Sequence, residues 1–434
     1  MDKNEIIAIL HDWNFWRNKL KTGISRSYYL NILEKLLGCN HIIAITGSRR
    51  VGKSFIMRQM AKLLIDKGQD PRNILHVNLE DPRFIENDVQ FLDKIFLTYC
   101  EFIKPTDTPI IFLDEIQEIE GFEKWIRMMH ELSKAKIIVS GSNSKLLSRE
   151  LGTLLTGRHL DLTVFPLSLK EFLEFNSVSI DENKGNDKEV KALLKDYIEY
   201  GSFPEVTLLS EKKEILLTYF DDVINKDIFK RFHIRKKQDL RSVVKYYFSN
   251  ISNLSTFNAI ERFLNISIKS VKNYTDYIEQ AYLVFSLKRF SFKVKEQEKS
   301  PRKIYSIDTG LCNAVGFRFS QNLGRLVENI VFINLLKKQI HDKDTEIFYW
   351  KDEHHREVDF VVKQGLEIKT LIQVCWEMDN EKTRKREVRS LQKAIKELSP
   401  MESFIITEDI EGEENISGMN VKILPLWKWL LNLQ

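Results

Sequence analysis

Eight consecutive residues, Gly47-Ser48-Arg49-Arg50-Val51-Gly52-Lys53-Ser54, constrain the fold of this 434-residue chain more than any other stretch. They follow an apolar run, His41-Ile42-Ile43-Ala44-Ile45-Thr46, and precede a helical pattern, Phe55-Ile56-Met57-Arg58-Gln59-Met60. A strand, a turn with two glycines and a helix start, in that order, leave few architectures open. The glycines let backbone N–H groups converge without a Cβ in the way. The helix N-terminus adds unpaired N–H groups and a dipole that favours negative charge. In this context the pattern is a phosphate-cradling loop, in which Lys53 reaches the β- and γ-phosphates and Ser54 ligates Mg²⁺. The predicted binding set is the eight loop residues together with Phe55.

A second run, Pro109-Ile110-Ile111-Phe112-Leu113-Asp114-Glu115, has β character and ends in two acids. Ligands bind at the carboxyl ends of parallel strands, where Asp114 falls. Asp114 is expected to hold Mg²⁺ with Ser54, and Glu115 to polarise the attacking water. Ile74-Leu75-His76-Val77-Asn78-Leu79 and Lys136-Ile137-Ile138-Val139-Ser140-Gly141-Ser142 read as further strands. Ser140 or Ser142 can bond the γ-phosphate or the lytic water, or simply close a turn; Ser142 is the catalytic candidate. Arg158, after Gly157, is the candidate for stabilising transition-state charge, in cis or in trans, with a structural salt bridge as its alternative. Arg49 and Arg50 are expected to contact the nucleotide or a neighbouring subunit.

Taken together, these motifs resemble the prokaryotic AAA-type ATPases whose P-loop reads Gly-x-Arg-Arg-x-Gly-Lys, many of which carry a C-terminal domain of unknown function. Besides Gly47 to Ser54, the matching stretches are Asp114-Glu115-Ile116-Gln117, Ser140-Gly141-Ser142, Gly157-Arg158 and Pro166-Leu167-Ser168-Leu169-Lys170-Glu171-Phe172. Tyr200-Gly201-Ser202-Phe203-Pro204-Glu205 and Glu357-Val358-Asp359-Phe360 extend the match over nearly the whole chain. The resemblance implies an ATPase that binds ATP with Mg²⁺, and a C-terminal region similar to restriction-endonuclease folds.

The chain is too long for one ordinary domain. The reading is α/β, in five parts: an N-terminal helical arm (1–38) packed on the core, a P-loop parallel-sheet ATPase core (39–176), a helical lid (188–236) broken at Gly201 to Pro204, a winged helix–turn–helix (237–310) and a C-terminal α/β nuclease-like domain (311–434). Trp13 and Trp16 are expected on one face of the arm's helix. The polar stretch 177–187 is the connector. Cys39, Cys100, Cys312 and Cys375 stand far apart, which indicates neither a zinc site nor a disulfide framework. The N-terminus lacks a basic-then-apolar leader and no stretch is long and apolar enough to span a bilayer, so a cytoplasmic protein without membrane contact is expected.

Net charge is only +4, but residues 226–305 hold 18 Lys and Arg against 7 Asp and Glu. A basic segment of that kind suits a polyanion. Its order is helix, helix, a helix capped by Ser267, then two strands, which is the order of a winged helix. Lys269, Lys272 and Asn273 share one face of the third helix, and Lys288 and Arg289 would add wing contacts to phosphates. Double-stranded DNA is one candidate partner; a protein packed on the same module is the other.

Restriction-endonuclease-like sites use a helix acid, a strand Asp and then Glu-x-Lys on the next strand. Glu328 and Asp359 fit the first two roles, but the resemblance puts Gln373 and Cys375 where Glu and Lys belong. An amide is a poor Mg²⁺ ligand and a thiol supplies no cation. Glu367-Ile368-Lys369 spells Glu-x-Lys, but it follows Gly365 so closely that it belongs at a hairpin turn on the edge of the sheet. The expectation is therefore an ATP-hydrolysing protein whose C-terminal half contacts DNA or a protein partner through a catalytically inactive nuclease-like domain. An ATP-gated Mg²⁺-dependent nuclease and a non-hydrolysing nucleotide switch are the rivals. The oligomeric state is left open.

Overall fold

Strands that read as largely apolar runs belong in a sheet covered on both faces, and the first four do. In the computed structural model β1 (Ile42–Thr46), β2 (Ile74–Asn78), β3 (Ile110–Asp114), β4 (Lys136–Gly141) and β5 (His159–Thr163) form one parallel sheet in the order β2-β3-β4-β1-β5. The structure describes residues 1–142, 157–179, 187–317 and 323–432, so most of the predicted connector lies outside it. The chain divides into two compact units, Met1–Val164 and Phe165–Gln434.

In the first unit β4 separates β1 from β3. The loop after β1 and the acids after β3 therefore leave the same sheet edge about 10 Å apart, two strand spacings. One face of the sheet buries Ala44, Leu75, Ile111, Leu113, Ile137 and Val139 against Phe91, Ile95 and Tyr99 of the Val89–Ile103 helix and Trp125 and Ile126 of the Phe122–Glu131 helix. The Lys3–Trp13 helix adds Ile6, Ile7 and Leu10 to that core, as expected of the arm. It ends at Trp13, so Trp16 is not on its face. The two indoles instead donate separately, Trp13 to Asp81 at 2.8 Å and Trp16 to the Ile74 carbonyl at 2.9 Å. The Asn14 amide covers the β2 edge, donating to the His76 carbonyl at 2.8 Å and accepting its N–H at 2.7 Å. An open strand edge is thus closed by the arm.

The segments predicted as lid, winged helix and nuclease-like domain all fall within the second compact unit, which begins at Phe165. Helices Asp187–Tyr200, Pro204–Leu208 and Lys212–Asp222 come first, broken between Tyr200 and Pro204 as predicted. Next come the Lys237–Ser249 helix, β6 (Leu254–Ser255), helices Phe257–Leu264 and Ile268–Gln280, β7 (Val284–Leu287) and β8 (Arg302–Ser306). Ser267 caps the Ile268–Gln280 helix by accepting from the Ser270 N–H. The three strands form an antiparallel sheet, β6-β8-β7, and the charged connector contains a short helix, Val294–Lys299. The Leu323–His341 helix then leads into β9 (Thr345–Lys351), β10 (Glu357–Gln364), β11 (Glu367–Val374), the Glu381–Leu398 helix, β12 (Glu402–Thr407), β13 (Gly412–Ile416) and β14 (Met419–Pro425). These strands form a sheet in the order β13-β14-β12-β11-β10-β9.

Aromatic packing explains why these segments make one unit. Tyr305 of β8 stacks on Phe332 with centroids 4.1 Å apart, and Phe332 meets Phe360 of β10 at 6.3 Å. A buried carboxylate adds a second tie. Asp308 accepts the Ser202 N–H at 2.7 Å and caps the Thr309–Val315 helix through the Leu311 N–H at 3.3 Å. Gly201 has φ +75°, and a Cβ there would run into the Asp308 carboxylate. The Tyr200-to-Glu205 motif is thus a structural joint. Among the described residues the four cysteines are free, and no helix is long and apolar enough to cross a membrane.

Candidate functional site

The loop after β1 turns sharply because Gly47 (φ +140°) packs its Cα against the Val164 carbonyl, where a side chain would collide. Gly52, at φ +97°, starts the Lys53–Asp66 helix. Lys53 is buried and folds across the turn, donating to the Gly47 and Ser48 carbonyls at 3.0 Å each. Its Nζ also stands 3.8 Å from Glu115 Oε1. Among the described residues Ser48 Oγ is buried without a hydrogen-bond partner, a free donor in the turn between β1 and the helix.

Asp114 closes β3 beside the loop, and Ser54 and Ser140 both hydrogen-bond its carboxylate. Burial holds the Asp114 carboxyl above the usual carboxylate range, and the Glu115 charge adds to that; the two hydroxyls and Lys53 pull the other way. A divalent cation would favour the ionised form. The adjoining Ser54 hydroxyl completes an oxygen donor pair that fits Mg²⁺. Glu115 adopts the left-handed conformation (φ +55°), its N–H donates to Ser140 Oγ at 3.0 Å, and its carboxylate accepts from Gln117 Nε2 at 2.5 Å. Ser140 thus pins the bend that presents both acids. Ser142, the residue favoured from the sequence, is buried at the end of β4.

Two arginine expectations resolve differently. Arg49 is buried and its Nη1 donates to both carboxylate oxygens of Glu80, at 3.0 and 3.2 Å, while Arg50 is exposed with φ +67°. Arg158 is not brought to the loop. It immediately precedes β5, its carbonyl accepts the Ile42 N–H at the start of β1, and its guanidinium pairs with Glu131 at 3.0 Å. That is the sheet edge opposite the phosphate loop, so the salt-bridge reading describes it within one chain. Sequence reasoning missed Arg26, whose Nη1 donates to the Val51 carbonyl at 2.7 Å and whose N–H is held by Gln59. It lies outside the motif, and nothing in its local pattern marks it.

Residues 39–173 match the family described as AAA domain, while 191–322 and 323–429 match two families described as domains of unknown function. An uncharacterized protein of Methanocaldococcus jannaschii is 36% identical over 408 residues, covering 90% of this chain and 88% of that one. An uncharacterized protein of Haemophilus influenzae is 30% identical over 422 residues, covering 95% and 99%. The chain belongs to their family. The first unit of this family member carries a P-loop AAA-type ATPase domain. Solved structures with partial likeness include AMPPCP-bound DnaA from Aquifex aeolicus, with TM-score 0.27 and 16% identity over 62% of this chain and 91% of that one. Another is a signal transduction ATPase with numerous domains and a tetratricopeptide repeat sensor from Pyrococcus horikoshii, with TM-score 0.29 and 12% identity over 74% and 46%. At those scores neither carries an argument.

The second unit of this AAA-domain family member also gathers polar residues, around a cavity of about 660 Å³. Glu328, Asp359 and Gln373, expected together from the sequence, do meet there. Gln373 Nε2 donates to Asp359 Oδ2 at 3.0 Å and to Glu387 Oε2 at 2.7 Å, and the Val374 N–H donates to Asp359 at 2.9 Å. Lys303 of β8, which the sequence did not single out, reaches the same place. Its Nζ lies 2.8 Å from Glu328, 2.7 Å from Glu357 and 2.9 Å from Asp359. Burial pulls the Lys303 ammonium toward neutrality, but the surrounding carboxylates outweigh it and hold it well above its usual range. Burial, and then Asp359, push the Glu328 carboxyl up to about 8. Cys375 is buried nearby, its thiol pushed up to about 11 chiefly by burial. Glu367 and Lys369 pair with each other at 2.8 Å at the hairpin end of β11. That strand is central, so they sit at a strand end and not at the sheet edge.

The basic face is only partly available. Lys269, Lys272 and Asn273 are exposed on the Ile268–Gln280 helix. Lys288 pairs with Glu298 at 2.5 Å. Arg289 is committed elsewhere: its guanidinium donates to the Lys351 carbonyl and its backbone bridges Tyr349 of β9. The wing-contact expectation for Arg289 is therefore withdrawn.

Proposed function

We propose that this protein binds ATP and hydrolyses it at the carboxyl edge of the first sheet. One observation carries the reading: Lys53, Ser54, Asp114 and Glu115, from two separate strand ends, form one hydrogen-bonded and ion-paired group beside a glycine turn. In the complex the backbone N–H groups of 47–54 receive the phosphates, and the Lys53 ammonium turns from the loop carbonyls to the phosphate oxygens. Mg²⁺, held by Ser54 and Asp114, supplies neutralising charge when bound. Glu115 orients the attacking water and accepts its proton, while Ser140 positions Glu115. Phosphate release by purified wild type and Glu115→Gln, with nucleotide affinity measured alongside, tests this. Glu115→Gln should retain ATP and lose turnover, whereas Lys53→Ala should lose ATP. Unchanged ATP affinity in Lys53→Ala would reject the site, and tight binding without release by wild type would favour a non-hydrolysing switch.

We read the Lys237–Ser249, Phe257–Leu264 and Ile268–Gln280 helices with the β6-β8-β7 sheet as a winged helix that contacts duplex DNA. The support is the exposed Lys269, Lys272 and Asn273, close to the helix start, where side chains meet phosphates and base edges. Salt-sensitive duplex binding lost on charge reversal of Lys269 and Lys272 is the expected result. Absence of any salt-dependent binding by wild type would leave the protein-packing alternative.

A further inference from the structure

Lys303 makes an arrangement that the ATPase reading does not use. An ammonium has three N–H donors. Here three different carboxylates take them, at 2.7 Å (Glu357), 2.8 Å (Glu328) and 2.9 Å (Asp359). The residue is 2% exposed, so no donor is left for solvent. Its backbone is held on both sides, because β8 is the middle strand and Lys303 pairs with Leu254 in β6 and with Leu287 in β7. The sheet therefore fixes the Lys303 backbone, and the three carboxylates hold its ammonium in the cluster.

Three oxygens from a helix, a strand end and a strand centre, converging on one point, is what a divalent cation asks of a protein. We propose that Lys303 is the resident cation of this cluster: its ammonium fills the position a divalent metal would take, and its removal uncovers a divalent-cation site.

The local charge count agrees. With the Glu328 carboxyl pushed up to about 8 and so protonated near neutral pH, three carboxylates, Glu357, Asp359 and Glu387, meet three cations. Besides Lys303, Lys351 pairs with Glu357 at 3.1 Å and Arg386 with Glu387 at 2.5 Å. The chain thus neutralises these charges internally, with the protonated Glu328 still accepting from Lys303. Gln373 fits the same scheme. Its amide gives N–H bonds to Asp359 and Glu387 where a further carboxylate would add charge for an outside ion to cancel. Hydrolytic chemistry that needs a metal at this point has no position for it in the native chain.

Titration of the nucleotide-free full-length chain with Mn²⁺, following the free ion by paramagnetic resonance, tests the proposal. Lys303→Ala should bind one more Mn²⁺ per chain than wild type, and Lys303→Ala/Asp359→Asn should lose that extra ion. Equal stoichiometry in wild type and a folded Lys303→Ala variant would overturn it. Should Lys303→Ala unfold alone, recovery of its melting transition by Mn²⁺ is expected, and no recovery counts against the idea. Wild-type crystals soaked in Mn²⁺ need no variant. An anomalous peak among Glu328, Glu357 and Asp359 would sink the proposal, and a cluster free of one supports it. ATP turnover plays no part in these readings, so they stand apart from the fate of the nucleotide site.

Discussion

Replacing Ser140 by alanine isolates one hydroxyl that holds the Asp114–Glu115 bend. Its oxygen accepts the Glu115 N–H at 3.0 Å and donates to Asp114, and the residue is fully buried. Alanine leaves that N–H unsatisfied, at a cost of about 1–3 kcal/mol, and removes a bond to a charged group worth about 1.5–3 kcal/mol. The losses overlap, because Asp114 keeps its bond from Ser54 and its raised carboxyl takes up a proton more readily. We therefore expect a total of about 2–3 kcal/mol and not the sum. At about 2–4 °C per kcal/mol for a unit of this size, the melting transition of Met1–Val164 falls by about 4–12 °C. Glu115 stands in the left-handed region, which costs about 1–3 kcal/mol and persists only where neighbours hold it. Freed of Ser140, its carboxylate loses register with Lys53. ATP turnover should drop about tenfold or more while ATP affinity changes less than about threefold, since the loop that holds the phosphates is untouched. Calorimetry, single-turnover phosphate release and equilibrium ATP binding on one preparation give all three numbers, and Ser140→Thr should recover part of the rate. A variant that melts within about 1 °C of wild type and turns over normally would refute the reasoning.

Other outcomes follow from the second unit. Burial lifts the Asp308 carboxyl from 3.8 to about 6 in the folded chain. A raised carboxyl stabilises below its unfolded value and loses that contribution as pH climbs through its folded value. Stability of Phe165–Gln434 should therefore fall by roughly 3 kcal/mol between about pH 4 and 6.5, relative to Asp308→Asn, which keeps the helix cap but cannot titrate. Parallel melting curves for the two across that range would contradict this. Gly201→Ala should lower the same unit's stability by about 2 kcal/mol or more, through its left-handed backbone and its approach to Asp308, read as a shift in denaturant midpoint. Charge reversal of both Lys269 and Lys272 should reduce the slope of log affinity against log salt for duplex DNA by about 2, one for each phosphate contact. Arg289→Ala should leave that slope unchanged and cost stability instead, because its partner is the Lys351 carbonyl.

The nucleotide site was legible because its parts are local. Gly47 to Ser54 is one contiguous stretch, and a single turn geometry follows from its glycines. Asp114 and Glu115 needed only the rule that parallel strands point their carboxyl ends at the ligand. The run from Ile110 to Leu113 supplied the strand, and the helix order of 237–283 was readable from its caps and periodicity. Arg158 shows where this stops. Its nearness in sequence to a motif said nothing about which end of β5 it occupies, and only the pairing of β5 with β1 places it at the far edge.

What the sequence determined by itself was therefore a set of elements, their order, and the residues whose chemistry is complete within a few neighbours. The tertiary structure decided which distant charges meet. Glu328, Glu357 and Asp359 have the residue types of a metal site. Whether they want a metal depends on Lys303, 25 residues from Glu328 and 56 from Asp359, on a strand of another sheet. Periodicity reports which face of an element is buried, but a buried lysine's partner is set by how sheets pack, and that information exists only in three dimensions.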